Sequence, residues 1–179
     1  PDTPYPINGI SQTFASTLLL QCVEQRRLQL DAPTSRYGVS IEDAPAATLR
    51  QLLSHTSSAP AGDVFKYDPD RYARLTEVME WCAPQPYRKS VAHRLLNRLA
   101  MQDSVPGTDL RDPELQLPEG LFDKSDVERY RSVLERLAVP YRVSGRTRAD
   151  RNDLPSAPMT ASGGLVSTVR DLARFDTAL

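Results

Sequence analysis

Apolar residues recur every three to four positions between residues 10 and 25, and this spacing constrains the fold more than any other feature of the chain. One face of the segment carries Ile10, Phe14, Leu18, Leu19, Cys22 and Val23. A repeat near 3.6 residues predicts an amphipathic helix with a broad buried face. Similar patterns predict helices over residues 49–55, 72–83, 86–101, 124–138 and 167–179. We therefore expect a mainly α chain with one short strand, over residues 140–148.

Length and charge restrict the class of protein. A chain of 179 residues is long enough for one domain with a real core. Its net charge of -1 argues against a nucleic acid or an anionic membrane as a partner held by charge. No stretch approaches the roughly 18 apolar residues of a membrane span, and no signal peptide is visible. We expect a piece of a longer protein, with periplasmic, extracellular and cytoplasmic locations all open.

The cysteines and histidines predict no metal centre. Cys22 and Cys82 have no metal-ligand spacing and give no disulfide framework, so we expect two small buried hydrophobic side chains. His55 follows Ser54, but adjacent residues at a helix end do not face each other, which favours a structural histidine. His93 lies on a polar helix face and should be solvated. We expect neither a metal nor another cofactor.

Four segments, taken in order, resemble the serine β-lactamase-like family. They are TLRQLLSHTSS, then PAGDVFKY with YARLTEVME, then LLNRLAMQDSVPG, then ASGGLVSTVRDLARF. The family contains class C β-lactamases, penicillin-binding DD-peptidases and related esterases. The resemblance covers most of residues 5–107 and 137–179. It implies one partial domain over residues 1–179. This domain would hold the helical subdomain and the active-site helix of the α/β β-lactamase/transpeptidase-like fold. Few strands of the central sheet of that fold would be present. The family's K-T-G or H-x-G strand would lie beyond Leu179.

The resemblance implies a particular mechanism. The family places a serine at the start of a helix and a lysine three residues later, in an S-x-x-K motif. Residues three apart share a helix face, so the amine can accept the serine proton. A tyrosine from a Y-x-N loop shares the proton transfer, and the serine forms an acyl-enzyme with an ester, amide or β-lactam carbonyl.

The stretch INGISQTF aligns with the family's active-site helix, but without its reactive side chains. Gly9 falls at the nucleophile and Gln12 at the lysine. Tyr67 matches the motif tyrosine, while the motif asparagine falls on Pro69. Asp68 and Pro69 are carried over as substrate-binding candidates, although a carboxylate offers no donor in place of an amide.

Other interpretations of these residues remain open. Ser11 lies about 200° round a helix from Gly9, and its third neighbour is Phe14, so it makes a poor nucleophile. Asn8-Gly9 is also a common turn and could simply lead into the helix. Tyr67 could be a half-buried tyrosine with a backbone partner.

We therefore expect a β-lactamase-related serine hydrolase that is inactive or impaired as written. Its partner would be a small-molecule or peptidoglycan-like substrate, with the oligomeric state open. One alternative is a pseudoenzyme that binds a peptidoglycan-like or acyl ligand without turnover. A second alternative is a helical module for protein interaction.

Overall fold

The computed structural model describes residues 1–59, 62–145 and 148–179, with the backbone alone for Arg148. The α-helices in these residues are α1 (Ser11–Glu24), α2 (Leu49–Leu53), α3 (Pro69–Ala73), α4 (Leu75–Cys82), α5 (Tyr87–Val91), α6 (Lys124–Glu135) and α7 (Val169–Thr177). The strands are β1 (Tyr5–Pro6), β2 (Val105–Pro106), β3 (Tyr141–Ser144), β4 (Arg148–Arg151) and β5 (Leu165–Ser167). The prediction of a mainly α chain with few strands is confirmed. None of these helices is both long and apolar enough to cross a membrane.

The chain forms two compact units. The first, here called the helical unit, comprises Asn8–Leu95 and Thr160–Gly163. The second, the sheet unit, comprises Pro1–Ile7, Leu96–Met159 and Gly164–Leu179. The expectation of one partial domain over residues 1–179 stays a prediction.

Helix α1 is the central element of the helical unit. Its side chains Phe14, Leu18 and Leu19 are fully buried, as the apolar repeat predicts. Helix α1 contacts α4 and α5. Burying one such side chain stabilises a fold by roughly 1.5–3 kcal/mol, so the buried face of α1 contributes to the stability of the unit.

A disulfide joins Cys22 of α1 to Cys82 at the end of α4, with the two Cα atoms 6.5 Å apart. The prediction of two unbonded cysteines is therefore wrong, although both residues are buried as expected. The two cysteines are 60 residues apart in sequence. Only the packing of α1 on α4 brings them within the Cα separation that a disulfide requires, and spacing in the sequence does not reveal it.

Threonine side chains cap the N-termini of α2 and α7. The Thr48 hydroxyl accepts a hydrogen bond from the Gln51 backbone N–H, and the Gln51 side chain accepts one from the Thr48 N–H. This reciprocal pair satisfies two N–H groups that the first turn of α2 leaves without helical partners. Thr168 caps α7 in the same position, accepting from the Asp171 N–H.

Two predicted helices are not single continuous α-helices. The helix expected over 72–83 is interrupted at Arg74, where the backbone makes i to i−3 bonds with Arg71 and Glu77 instead of the α-helical pattern. The helix expected over 86–101 consists of α5 followed by a π-helical turn, Ala92–Leu96.

The sheet unit is built on a three-stranded antiparallel sheet in the order β1-β5-β2. Tyr5 pairs with Ser167, and Val105 pairs with Val166. Helix α6 packs against this sheet, and the core of the unit contains Val105, Leu110, Tyr130, Val133, Leu134 and Val166. These strands are two or three residues long, too short to carry a recognisable alternation.

The strand expected over residues 140–148 is a hairpin. Strands β3 and β4 pair with Tyr141 opposite Arg151 and Ser144 opposite Arg148. Residues 146 and 147 of the expected strand lie outside the described residues.

Candidate active site

The site begins with a 3₁₀ turn, Asn8–Ile10, that leads directly into α1. Asn8 is the residue of this turn with a positive φ, +43°. Gly9 has an ordinary φ, so the backbone does not require glycine there. A Cβ on Gly9 would lie 3.0 Å from the Tyr67 hydroxyl. Gly9, which the resemblance aligns with the family's serine, therefore faces the Tyr67 hydroxyl.

Gln12 lies one helical turn after Gly9 and links two side chains from other parts of the helical unit. Its amide nitrogen Nε2 is 3.2 Å from the Tyr67 hydroxyl. Its oxygen Oε1 is 3.0 Å from Nε2 of His55. Gly9, Gln12 and Tyr67, which the resemblance selects from distant parts of the sequence, thus lie together.

His55 is the site residue whose connection to this cluster the sequence did not reveal. Its ring is buried, and its Nδ1 accepts a 3.2 Å hydrogen bond from the backbone N–H of Asp68. Burial lowers the pKa of His55, and the nearby Asp68 carboxylate partly opposes that change. His55 lies in the segment TLRQLLSHTSS that carries the family resemblance. Nothing in the sequence predicts its hydrogen bond to Gln12.

Aromatic rings surround His55. Tyr72 stacks on the imidazole with ring centroids 5.0 Å apart, and the Tyr67 ring lies at 4.8 Å. Phe65 contacts the imidazole edge-on at 5.9 Å. The rings of Phe65 and Tyr67 are both more than half exposed. The cluster thus presents an apolar rim beside the polar atoms of Gln12 and Tyr67.

Tyr72 ties this cluster to α1. Its hydroxyl donates to the Gln12 backbone carbonyl over 3.1 Å, and it lies 2.7 Å from the Ser16 hydroxyl. Because the Tyr72 proton is used on the carbonyl, Ser16 is the donor in the second bond. Burial raises the pKa of Tyr72, so its hydroxyl stays protonated and the bond is maintained.

Asp68 and Pro69 begin the next helix. The Asp68 carboxylate accepts from the Arg71 backbone N–H at 3.0 Å and pairs with the Arg71 guanidinium at 3.2 Å. Pro69 occupies the first turn of α3, where a missing N–H is tolerated. The Asp68 side chain is thus engaged in capping, and a role of either residue in substrate binding stays a prediction.

The structure also describes the surroundings of Ser11, Ser54 and His93. Ser11 is fully buried within α1. The Ser54 hydroxyl bonds to the Arg50 carbonyl and to the Thr56 hydroxyl, away from the adjacent imidazole. His93 is exposed. Within residues 1–59, 62–145 and 148–179, no three His, Cys, Asp or Glu side chains are grouped to hold a metal ion.

The comparisons with known proteins identify the family. The family model described as Beta-lactamase matches residues 1–179. The chain belongs to the beta-lactamase family, which confirms the resemblance found in the sequence. No curated protein matches it significantly.

Solved structures of the same fold include a penicillin-binding protein and a penicillin-binding protein homologue. The octameric penicillin-binding protein homologue from Pyrococcus abyssi is 22% identical, with a TM-score of 0.72, and the match covers 97% of this chain and 44% of that one. The penicillin binding protein from Bacillus halodurans is 19% identical, with a TM-score of 0.71, covering 99% of this chain and 59% of that one.

A third match is the D-amino acid amidase from Ochrobactrum anthropi SV3 complexed with L-phenylalanine. It is 20% identical, with a TM-score of 0.71 and coverage of 99% of this chain and 55% of that one. The chain thus spans about half the length of the structures it resembles.

Proposed function

We propose that this chain carries the carbonyl-binding site of a β-lactamase-related serine hydrolase and binds an ester, amide or β-lactam ligand without forming an acyl-enzyme. The observation that carries the proposal is the meeting of Gly9, Gln12 and Tyr67. The hydroxyl of Tyr67 lies 3.0 Å from a Cβ built on Gly9 and 3.2 Å from the Gln12 amide.

The chemistry of these side chains argues for binding without turnover. Glycine supplies no nucleophile, and a carboxamide does not accept a proton at neutral pH as an amine does. In subtilisin, removing the serine or the histidine costs roughly 10⁶-fold in kcat. What remains is a tyrosine hydroxyl, an amide and an apolar rim, which are groups suited to reversible binding.

The relatives support the ligand class. Penicillin-binding proteins and an amino acid amidase share the fold. Penicillins and amino acid amides both present a carbonyl group beside an apolar substituent. A peptidoglycan-like peptide has the same features, and we extend the proposal to that class.

Covalent labelling of the full-length protein tests the proposal. We expect no adduct with fluorescent penicillin or with a fluorophosphonate, and a covalent adduct on the unchanged chain would falsify the proposal. The double variant Gly9→Ser with Gln12→Lys should gain labelling. Its matched control, Gly9→Ser with Gln12→Met, has a side chain of similar length without an amine and should not.

A thermal-shift measurement distinguishes binding from the alternative of a helical interaction module. A ligand that binds only the folded state raises the unfolding temperature by mass action. We expect penicillin to raise it for the unchanged protein and to lose most of that effect in the Tyr67→Phe variant. An unchanged unfolding temperature would favour the interaction module.

A further inference from the structure

The polarity of the hydrogen bonds around Gln12 can be assigned from one backbone donor. The N–H of Asp68 can only donate, and it points at Nδ1 of His55 over 3.2 Å. Nδ1 must therefore carry a lone pair, so the single proton of the neutral imidazole resides on Nε2. Burial lowers the pKa of His55, which favours this neutral form.

The His55 tautomer orients the Gln12 amide. Because Nε2 of His55 is a donor, its partner 3.0 Å away on Gln12 must be the carbonyl oxygen. The opposite orientation would bring the amide NH₂ against an N–H. The NH₂ group of Gln12 is consequently directed at the Tyr67 hydroxyl, 3.2 Å away.

The orientation of Gln12 in turn fixes the role of Tyr67. Its oxygen accepts from Gln12, and this is the one hydrogen bond of the Tyr67 hydroxyl within the part of the chain that the structure describes. A phenol has one proton, and that proton remains available for a further acceptor. The Tyr67 side chain is more than half exposed, and the residue facing its hydroxyl from the 3₁₀ turn before α1 is Gly9, which contributes no side-chain atoms.

On this basis, and resting on the proposed function, we infer that the site selects hydrogen-bond acceptors. Tyr67 donates to a carbonyl or carboxylate oxygen of the ligand, and His55 sets that polarity through Gln12. Ammonium groups, which present donors and no acceptor, are excluded from this position. His55 and Gln12 act as positioning residues, and Tyr67 contacts the ligand.

The tautomer is tested without any substitution. Nitrogen-15 NMR of the imidazole in the full-length protein distinguishes a protonated Nε2 from a protonated Nδ1. We expect the proton on Nε2, and a ring protonated on Nδ1 alone overturns the inference. This readout is independent of covalent labelling, so the inference can fail while the proposed lack of turnover stands, and the reverse is also true.

The selectivity is tested with two probes of equal shape, using ligand-observed NMR. N,N-dimethylacetamide offers a carbonyl oxygen, and the N,N-dimethylacetamidinium ion offers an amino group in its place. We expect the amide to bind at least tenfold more tightly to the unchanged protein. Equal binding of the two probes, or no binding of the amide, overturns the inference.

Three variants locate the source of this selectivity. Tyr67→Phe should weaken binding of the amide at least tenfold. Gln12→Glu should reverse the preference, because a carboxylate accepts from both His55 and Tyr67 and directs the phenol proton inward. The control Gln116→Glu, at an exposed position of the sheet unit, adds the same charge and should keep the preference of the unchanged protein. Retention of the amide preference by Gln12→Glu contradicts the assigned polarity.

Discussion

A side-chain carbon placed on Gly9 would lie 3.0 Å from the hydroxyl of Tyr67. These residues come from different elements, a 3₁₀ turn before α1 and the loop before α3. This proximity agrees with the alignment of Gly9 and Tyr67 that the resemblance implies, and their assignment to the nucleophile and tyrosine positions stays a prediction.

Gly9 should tolerate a side chain. Its φ is ordinary, and the single close contact is with the end of a rotatable, half-exposed tyrosine. We expect Gly9→Ala to change the free energy of unfolding by no more than about 1 kcal/mol, as is usual for Gly to Ala at a compatible backbone position. Urea denaturation measures this change.

Gly164→Ala is the matched control for Gly9→Ala. Gly164 has a φ of +95°, and a Cβ there would lie 2.7 Å from the Cα of Met159, which is backbone and cannot rotate away. We expect a loss of about 2 kcal/mol or more. Equal effects of the two substitutions would contradict the assignment of Gly9 as a position free of backbone constraint.

Stability should fall as the pH drops below about 6.5, the ordinary pKa of histidine. Burial lowers the pKa of His55 in the folded protein. Between the two pKa values the unfolded chain binds a proton that the folded chain does not, so the free energy of unfolding rises with pH there. Protonation would also place an N–H on Nδ1 against the N–H of Asp68.

Urea denaturation across that pH range measures the effect. The variant His55→Phe keeps an aromatic ring beside Tyr72 and removes the titrating group, so it should lose part of the pH dependence. The control His93→Phe, at an exposed position, should keep the full dependence. A pH dependence that is the same in both variants would rule out His55 as its source.

The disulfide should contribute a large share of the stability. Closing a loop with a sequence separation of 60 residues corresponds to about 4 kcal/mol by the loop-entropy relation. We expect Cys22→Ala with Cys82→Ala to destabilise the protein by an amount approaching that value, measured by urea denaturation. Such bridges are typical of proteins that fold under oxidising conditions.

Thiol titration checks the disulfide directly. Both cysteines of the chain are used in the bridge, so the denatured protein should show no free thiol until a reductant is added. Two free thiols in protein prepared under oxidising conditions would contradict the disulfide.

Asp68 should stabilise the folded protein as the N-cap residue of α3. Asp68→Ala removes the acceptor of the Arg71 N–H and the ion pair with the Arg71 guanidinium. We expect a loss of about 1–2 kcal/mol. Asp68→Asn keeps an oxygen that can accept from the N–H and should cost less. If thermal denaturation finds the two variants equally stable, capping is not the role of the side chain.

Much of the helical structure could be predicted from local signals. The apolar repeat of α1 spans four turns, and the Thr48 cap with Gln51 three residues later is a local signature of a helix start. The strands β1, β2 and β5 could not be predicted, because two or three residues are too few to show an alternation. Their pairing depends on segments far apart in the sequence.

Part of the candidate site could be selected from the sequence, although the roles of its residues stay predictions. Motif order marked Gly9, Gln12 and Tyr67, since the resemblance carries information about distant residues. The bond between His55 and Gln12 joins residues 43 apart in sequence, in a pairing that the family motif does not contain. The disulfide escaped prediction because spacing alone does not reveal which cysteines the packed helices bring together.

The disulfide also determines what a protease can do to the site. His55 and Tyr67 both lie within the covalent ring that Cys22 and Cys82 close, and Gln12 lies outside it on α1. A single cut anywhere inside that ring leaves two fragments that remain joined through sulfur. The nicked protein would migrate as one chain in electrophoresis without reductant and as two with it, while the segments that carry Gln12, His55 and Tyr67 stay tethered to one another.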